Sequence, residues 1–483
     1  MERDGRIKKG QAMVFRRTKI VATLGPATAG EMQIKALVEA GMDAARLNFS
    51  HGSHEEYARL LGIVRAVSAE TGKPLAVIAD LQGPKIRVGE MPPEGVRLMR
   101  GQQLAVTPSR IVGSGEQVPI VYSGLDDIAQ PGSRILIDDG RIVLKVLRKE
   151  DGELVCRVVA GGVLTSRKGV NFPGATITAP SLTPKDRQDL EFALQTGADY
   201  VALSFVREAA DIAQLRSLID TISDRPVKII AKIEKREAIR NIGAIIDAAD
   251  AIMVARGDLG VEIAPERVPY WQKEIIRRAT GNAKLVITAT QMLESMIASP
   301  TPTRAEASDV ANAVYDGTDA VMLSGETAIG KYPARAVATM HRIARTVEGS
   351  LASRAAGKQP SHGSVTRAIS AAACEVAADL DVAAIVTPTS SGTTPVEVAK
   401  HRPRTPIVAV SPDMDVVNQL ALAWGVKPQL IAPARDTDDT FTKAISAAES
   451  SGLAGPGQMI VITAGIRVNV PGTTNLIKVH WIE

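Results

Sequence analysis

The chain has 483 residues, of which 45% are hydrophobic and only 3% aromatic, and its formal net charge is +4. Its basic residues are dispersed, which argues against nucleic acid as a partner, and its two widely spaced cysteines exclude a disulfide framework. The N-terminal residues lack the apolar core of a signal peptide, and no apolar run is long enough to cross a membrane. We therefore expect a soluble, cytoplasmic protein of several domains whose cores are packed mostly with aliphatic side chains.

The first part of the chain, after a polar tail at residues 1–15, predicts three strands and two intervening helices. The first helix should end at Gly41, and the second should begin after Ser53, with Glu56 at capping-box spacing. Polar residues follow the second and third strands: Arg46, Asn48, Ser50, His51 and Asp80.

From about residue 88 to 183 helical periodicity gives way to short alternating strands separated by turn signals. The dipeptide Asp151-Gly152 is typical of a tight hairpin turn. The segment therefore predicts a small β domain inserted into the series of strands and helices. Its Arg167 and Lys168 either face a bound anion across a cleft or belong to a solvated hairpin.

The alternation of strands and helices then resumes, and residues 227–262 are its clearest unit. They predict a strand, a single helix with Ile239, Ile242 and Ile246 on its apolar face, and a second strand. Such a unit is typical of a parallel sheet. Eight strands alternating with eight helices predict the α/β class, as a closed (β/α)8 TIM barrel.

Charged residues at the strand ends of this unit predict a cation site. Lys232 and Glu234 are two residues apart in an extended strand, so their side chains point to the same side, and Asp258 lies just past the next strand. Two carboxylates can hold Mg²⁺ and leave positions for water and substrate oxygens. Lys232 would donate to a phosphoryl or enolate oxygen. The alternative is a surface Lys–Glu pair and a turn Asp in an ordinary barrel loop.

After a polar linker at residues 352–364, a further α/β unit is predicted, with strands AAIVT, PIVAV, QLIA, MIVIT and NLIKVHWI. The hydroxyl-rich loop TPTSSGTTP leads into a helix, so it either cradles a phosphate or is an ordinary capped loop. The predicted domains are a tail at 1–15, a barrel at 16–87 and 184–350, a β lid at 88–183 and a C-terminal domain at 351–483.

The chain contains an ordered set of motifs: TKIVATLGP, ARLNFSHG, KIEKREAIRNI, MVARGDLGVE, ATQMLESMI, PTRAEASDVANAV and MLSGETAIG. Together they resemble the pyruvate kinase family, from about Thr18 to the C-terminus. The resemblance implies a barrel that binds phosphoenolpyruvate and a small β-barrel lid that closes over ADP. It also implies Mg²⁺- or Mn²⁺-dependent phosphoryl transfer that gives pyruvate and ATP in glycolysis, in a cytoplasmic homotetramer.

The resemblance also assigns roles to matching residues. The catalytic residues would be Lys232, Arg46 and Thr290, and the metal ligands Glu234 and Asp258. Substrate would also contact Ser204 and the segment Ala255, Arg256, Gly257 and Asp258, whose backbone N–H groups would receive its carboxylate. The nucleotide would lie near Asn48, His51, Arg87 and Lys168.

Lys85 departs from the pattern of the potassium-dependent members, which carry a glutamate there. In those members a monovalent cation is surrounded by residues matching Asn48, Ser50, Asp80 and the carbonyl of Leu81. The ammonium of Lys85 would supply the positive charge of K⁺ and repel the ion. A potassium-independent group of the family carries lysine at this position, so we expect activity that does not require K⁺.

The C-terminal loop, which includes Ser390, lies where the family binds phosphorylated effectors. Thr389, Ser391, Gly392 and Thr394 match the family's phosphate loop, whereas Ser390 and Thr393 are not basic. The expected activator is a sugar phosphate or a nucleoside monophosphate. Two other functions remain open. One is a barrel aldolase with Lys232 as a Schiff-base nucleophile, and the other is a catalytically inactive sensor that keeps only this phosphate loop.

Overall fold

The computed structural model describes residues 15–122, 124–175, 180–351, 364–465 and 472–483. The predicted tail and linker lie outside these ranges, apart from their last residues. The first described elements are β1 (Lys19–Thr23), α1 (Glu31–Ala40), β2 (Ala44–Asn48), α2 (His54–Thr71) and β3 (Ala76–Asp80).

Capping residues set the end of α1 and the start of α2 at the positions that the sequence predicts. Helix α1 ends at Ala40 and is capped by Gly41, whose φ of 122° is accessible to glycine and strained for other residues. Before α2, the Ser53 hydroxyl accepts the N–H of Glu56 at 3.3 Å, and the Glu56 carboxylate accepts the N–H of Ser53 at 2.9 Å. This reciprocal pair is the predicted capping box.

The inserted segment folds as the predicted β domain. Its elements are β4 (Val96–Leu98), β5 (Gln103–Thr107), β6 (Gln117–Pro119), α3 (Leu125–Ile128), β7 (Arg134–Ile137), β8 (Ile142–Glu150), β9 (Glu153–Ala160), β10 (Gly162–Leu164) and β11 (Val170–Asn171). They form a sheet of order β11-β7-β8-β9-β5-β6 and a pair β10-β4. Asp151 and Gly152 join β8 to β9 with φ of 49° and 79°, as a two-residue hairpin turn requires.

The second part of the barrel comprises α4 (Pro184–Thr196), β12 (Tyr200–Leu203), α5 (Ala209–Ile222), β13 (Lys228–Ile233), α6 (Arg236–Arg240), α7 (Ile242–Ala248), β14 (Ala251–Ala255), α8 (Arg256–Glu262), α9 (Val268–Gly281), β15 (Leu285–Ala289), α10 (Arg304–Tyr315), β16 (Ala320–Leu323), α11 (Gly325–Ala328) and α12 (Pro333–Leu351). Short 3-10 turns lie at Pro26–Thr28, Pro265–Arg267 and Glu294–Ile297. The strands close in the order β1-β16-β15-β14-β13-β12-β3-β2. The predicted (β/α)8 barrel is confirmed.

The single helix predicted after β13 is wrong, because the chain forms two helices that meet at Asn241. Its backbone, at φ −98° and ψ 12°, leaves the helical region, and its side-chain amide donates to the carbonyl of Arg207 at 2.9 Å. An Asn side chain that binds backbone elsewhere competes with helix geometry. Ile239, Ile242 and Ile246 are still buried, so the predicted apolar face survives the break.

The C-terminal domain comprises α13 (Val365–Asp379), β17 (Ala384–Pro388), α14 (Thr393–Ala399), β18 (Ile407–Ser411), α15 (Met414–Leu420), β19 (Val426–Leu430), α16 (Thr437–Ser450), β20 (Met459–Gly465) and β21 (Thr474–Trp481). Its sheet has the order β19-β18-β17-β20-β21. The strand predicted at QLIA is misplaced, since β19 begins at Val426 and contains Pro428. Proline is tolerated there because β19 is an edge strand.

The described chain divides into two compact units. One contains the described residues up to Ala45, Gly62–Val77 and the described residues from Met292 onward, and the other contains Arg46–Leu61 and Ile78–Gln291. The core of the second unit around β12–β14 is almost wholly aliphatic, as the low aromatic content predicts. None of the described helices combines the length and apolarity that spanning a membrane requires.

Candidate active site

The side chain of Lys232 lies at the centre of a buried polar cluster at the end of β13. Its Nζ is 2.9 Å from Oε1 of Glu234 and 3.1 Å from Oδ1 of Asp80, and it donates to the Ser204 hydroxyl at 2.7 Å. The Ser204 hydroxyl donates in turn to the carbonyl of Leu81 at 2.7 Å. Lys232 and Glu234 therefore share one side of the strand, as their spacing predicts.

Asp80 links Lys232 to the guanidinium of Arg46. The Nε of Arg46 donates to Oδ2 of Asp80 at 2.6 Å, and Asp80 is only 1% exposed. Burial alone would raise the pKa of Asp80, but the charges of Lys232 and Arg46 outweigh it and lower the pKa below its usual value. Burial likewise acts to lower the pKa of Lys232, and Asp80 and Glu234 overcome it, so the ammonium pKa is raised. The cluster therefore holds two fixed cations at neutral pH.

Glu234 is held in place by the backbone of the neighbouring strand end. Its Oε2 accepts the N–H of Phe205 at 2.8 Å, and the residue is 2% exposed. Burial raises the pKa of Glu234, and the nearby charge of Asp258 raises it further, against the opposing charge of Lys232. Two carboxylates that repel each other in a buried site are stabilised when a cation binds between them.

The donor atoms fit a hard divalent cation. Glu234 and Asp258 offer carboxylate oxygens, the ligands that Mg²⁺ prefers, and Asp258 keeps 29% of its side chain exposed. In the described parts of the chain, no group of three or more His, Cys, Asp or Glu is arranged to hold a metal. A two-carboxylate site leaves most coordination positions to water and substrate, which is typical of Mg²⁺ in phosphoryl transfer.

Lys85 lies beside one of these two carboxylates, that of Asp258. Its Nζ is 3.8 Å from Oδ1 of Asp258, which is an ion pair too long for a hydrogen bond. The sequence predicts a positive charge in the monovalent-cation region, but it gives no sign that Asp258 is the partner. Asp80 is already paired with Arg46 and Lys232. Asn48 Oδ1 accepts the N–H of Ser50 at 3.4 Å.

Thr290 and Arg256 contact each other beside the first turn of α8. The Thr290 hydroxyl accepts the N–H of Gly257 at 2.8 Å and donates to the carbonyl of Ala289 at 2.7 Å. Thr290 and Gln291 have φ of 67° and 54°, a left-handed conformation that is strained for a β-branched residue. The Arg256 guanidinium supports this turn by donating to the carbonyls of Thr290 at 2.6 Å and Gln291 at 3.2 Å.

The Arg256 side chain is buried, and its guanidinium is directed at backbone carbonyls of the protein. Residues 256–258 form the first turn of α8, which follows Ala255 at the end of β14. N–H groups in a first helical turn have no partner within the helix. One of them, that of Gly257, donates to the Thr290 hydroxyl.

The residues predicted near the nucleotide lie in two places. Asn48, His51 and Arg87 lie at or after the ends of β2 and β3, and Lys168 lies in the inserted β domain, the predicted lid. Burial, followed by the charges of Arg87, Lys85 and Arg46, lowers the pKa of His51, so its imidazole is neutral at pH 7. Arg87 Nη1 donates to the carbonyl of Arg167 at 3.1 Å. Lys168 Nζ lies 2.9 Å from Oδ1 of Asp138 within the lid.

The predicted phosphate loop precedes α14. The Thr389 hydroxyl accepts the N–H of Gly392 at 2.9 Å, and Gly392 has a φ of 79° that favours glycine. The hydroxyls of Ser391 and Thr393 are 3.0 Å apart. Thr394 is buried, and its hydroxyl lies 2.7 Å from that of Thr474.

Comparisons with known proteins cover almost the whole chain. A model of the pyruvate kinase barrel domain matches residues 15–337, and a model of the pyruvate kinase alpha/beta domain matches residues 367–480. The chain is 48% identical over 473 residues to a pyruvate kinase from Geobacillus stearothermophilus, covering 97% of this chain and 81% of that protein. It is 42% identical over 476 residues to one from Clostridium acetobutylicum, covering 97% and 100%. A crystal structure of a pyruvate kinase from Cryptosporidium parvum is similar with a TM-score of 0.89 and 36% identity, covering 97% of this chain and 96% of that one.

Proposed function

The chain belongs to the pyruvate kinase family, and we propose that its barrel site moves the phosphoryl group of phosphoenolpyruvate to ADP with the residues gathered around Lys232. The observation that carries this proposal is the buried cluster itself. Lys232 and Arg46 are two cations held by one carboxylate, Asp80, beside the metal-type pair Glu234 and Asp258. Phosphoryl transfer depends mostly on positioning and charge neutralisation, and this cluster supplies both.

Each residue of the cluster has a distinct task. Arg46 and Lys232 neutralise the charge on the oxygens of the transferring phosphoryl group. Asp80 holds the guanidinium and the ammonium in position through its ion pairs with both. A divalent cation bound by Glu234 and Asp258 would add positive charge at the phosphoryl and enolate oxygens. The N–H groups at the start of α8 would receive the substrate carboxylate, and that of Gly257 would leave the Thr290 hydroxyl to do so. The Thr290 hydroxyl would hold the water that protonates the enolate.

The direct test is pyruvate production from phosphoenolpyruvate and ADP with Mg²⁺, with and without K⁺. We expect turnover in both conditions. Ligand binding without turnover, even with candidate effectors added, would instead favour the sensor function.

The aldolase alternative is disfavoured by charge. A Schiff-base lysine must be neutral to attack a carbonyl, so it needs a lowered pKa. The carboxylates of Asp80 and Glu234 raise the pKa of Lys232 and keep it protonated. Borohydride should therefore trap no carbonyl substrate on Lys232.

We also propose that catalysis does not require K⁺, because the Lys85 ammonium provides a permanent cation next to Asp258. Wild-type turnover should be the same in K⁺ and in tetramethylammonium at fixed ionic strength. The variant Lys85→Glu would add a carboxylate to Asp80, Glu234 and Asp258, so a monovalent cation would become necessary. We expect its turnover without K⁺ to fall at least about tenfold, equivalent to about 1.4 kcal/mol, and to recover when K⁺ is added.

The matched control is Lys85→Gln, which removes the charge without adding a carboxylate. It should lose activity but respond to K⁺ less than Lys85→Glu does. Strong stimulation of the wild type by K⁺ would contradict the role given to Lys85.

A phosphorylated metabolite is the proposed activator, and the loop from Thr389 to Thr394 is its proposed site. Replacing Thr389 and Ser391 together by alanine should abolish activation, because it removes the hydroxyl that holds the N–H of Gly392 and a second hydroxyl of the loop. A sugar phosphate and a nucleoside monophosphate are tested in turn, and the measurement is the phosphoenolpyruvate concentration at half-maximal rate.

The control for this experiment is Thr442→Ala, which removes an exposed hydroxyl elsewhere in the same domain. This variant should respond to the effector like the wild type. Full activation of the Thr389/Ser391 double variant would move the effector site elsewhere.

We also propose a cytoplasmic location and a homotetrameric assembly. Cys156 and Cys374 are free thiols, and burial raises the pKa of each to about 12, so they suit a reducing cytoplasm without forming a redox pair. The homotetramer implied by the family is tested by the mass of the particle in solution.

A further inference from the structure

The first two turns of α4 carry three polar residues whose side chains contact neighbouring loops of the barrel. Lys185 and Asp186 lie four and three residues before Asp189, so all three share one face of the helix. Asp186 is 0% exposed and Asp189 is 2% exposed. Carboxylates that are buried to this extent need compensating partners. Neither carboxylate takes part in the proposed chemistry of the barrel site, so the partners show what these residues do.

Asp189 holds the loop between β2 and α2 at both of its ends. Its Oδ1 lies 2.8 Å from Nε2 of His54, the first residue of α2. Its Oδ2 accepts from Nζ of Lys185 at 2.5 Å. The same ammonium donates to the carbonyl of Phe49, the residue that follows β2, at 2.8 Å. The two ends of residues 49–54 are therefore tied to one buried carboxylate.

Aromatic side chains support the same loop. Phe49 is 2% exposed, and its ring centroid lies 4.6 Å from that of Tyr57 and 6.1 Å from that of Phe192. The His54 imidazole stacks on Phe192, with centroids 4.2 Å apart. The Tyr57 hydroxyl donates to the carbonyl of Asn48 at 2.5 Å. Residues of α2 and α4 thus hold both the backbone and the side chain of the first residue of the loop.

Asp186 contacts the next loop of the barrel. Its Oδ2 accepts from the N–H of Thr183 at 2.9 Å and from the Thr183 hydroxyl at 2.6 Å, as expected for the cap of α4. Its Oδ1 accepts the N–H of Gly83, in the loop after β3, at 3.0 Å. Helix capping accounts for one oxygen of Asp186, whereas the other ties α4 to a loop that leads to Lys85.

We propose that Asp189 is a positioning residue for the nucleotide, and that it acts through Lys185 and His54 on the loop between β2 and α2. This loop contains His51, and Asn48 is the last residue of the strand before it. Both belong to the predicted nucleotide site. A loop that is held at both ends presents these side chains to ADP in one geometry, which lowers the cost of ordering them on binding. The consequence for ADP rests on the proposed function, whereas the hold on the loop does not.

The hold on the loop is tested by amide hydrogen exchange of the full-length protein, measured by mass spectrometry. Asp189→Asn removes the charge and one acceptor oxygen with little change of shape. It should speed exchange in the peptide that covers residues 47–57 at least about threefold and leave β13 unchanged. Glu191→Gln removes a charge from the exposed face of the same helix and is the matched control, which should change neither peptide. Unchanged exchange in residues 47–57, or equal acceleration in β13, would overturn the proposal.

The consequence for the nucleotide is tested by steady-state kinetics. Asp189→Asn should raise KM for ADP at least about fivefold and leave KM for phosphoenolpyruvate within about twofold. A merely structural defect would reduce the amount of active enzyme, and so kcat, without moving either KM.

Lys185→Met should also raise KM for ADP, because it removes the donor to the Phe49 carbonyl. The double variant with Asp189→Asn should cost no more than the larger single change, since both break one network. Additive effects, or an unchanged KM for ADP in Asp189→Asn, would overturn the proposal and leave the proposed function standing. A wild type without turnover would reject the proposed function, and hydrogen exchange would still decide whether Asp189 holds the loop.

Discussion

Replacing Lys232 by methionine is expected to lower kcat for pyruvate formation by about 10²- to 10³-fold, the cost of removing one preorganised donor to a developing charge. Methionine keeps the length of the buried stem but removes the ammonium that lies 2.9 Å from Glu234 and 3.1 Å from Asp80. Asp80 keeps Arg46 as its partner, and Glu234 keeps the N–H of Phe205, so the cluster loses its central cation rather than its framework.

The matched control lies on the same strand. Lys228 begins β13, is partly exposed, and is 3.6 Å from Asp250 in a loose ion pair. Lys228→Met should leave kcat within about twofold of the wild type, because exposed pairs contribute little. Both kcat and KM are measured with phosphoenolpyruvate and ADP as substrates. A Lys232→Met enzyme that retains more than a tenth of wild-type kcat would show that the ammonium is not the main source of charge stabilisation.

The parts of this site that lie within one strand and turn could be predicted from sequence. Residue spacing alone places Lys232 and Glu234 on one side, and the end of the next strand brings Asp258 near them. The link between Asp80 and Lys232 could not be predicted, because these residues are 152 positions apart and meet only when β3 and β13 stand on either side of β12.

Other features missed from sequence depend on competition between local and tertiary contacts. Asn241 breaks a periodic helix because its amide finds the carbonyl of Arg207, a partner in a loop that no periodicity reveals. The contact of Lys85 with Asp258 depends on the path of a loop after β3. The strained φ of Thr290 has no signal in its own sequence, because a β-branched residue is normally evidence against that conformation.

A second buried charge cluster governs stability rather than chemistry. Asp43 precedes β2, and its Oδ2 accepts from Nη2 of Arg16 at 2.6 Å and from the N–H of Ile20 at 2.8 Å. Its Oδ1 is 3.2 Å from Nζ of Lys73. Lys19, which is buried as Arg16 is, contributes a third cation nearby and donates to the carbonyl of Val426 at 2.7 Å. The cations thus depend on Asp43 as their shared counter-charge.

Burial would raise the pKa of Asp43, but Arg16, Lys73 and Lys19 outweigh it and hold the pKa well below its usual range. A carboxyl with a depressed folded-state pKa stabilises the protein above its unfolded pKa of about 4 and loses that contribution as the pH falls further. Burial also lowers the pKa of Lys19 to about 8, although Asp43 opposes the shift. Burial of the charged Lys19 ammonium therefore destabilises the folded state by its full amount below pH 8. This destabilisation decreases as the pH rises toward about 10.4, the pKa of lysine in the unfolded chain.

Asp43→Ala should therefore lower the free energy of unfolding of the unit that contains it by about 3–5 kcal/mol at pH 7, the cost of leaving buried charges without their partner. The measurement is the midpoint of urea unfolding, which is monitored by circular dichroism and by tryptophan fluorescence at pH values between 3 and 9. The wild type should lose stability below about pH 4, and the variant should show a flatter profile there because the titrating carboxyl is gone.

Glu70→Ala, which breaks the exposed pair with Lys35, is the matched control and should leave the midpoint nearly unchanged. Equal midpoints for Asp43→Ala and Glu70→Ala would mean that the three cations find other partners and that Asp43 is not the centre of the cluster.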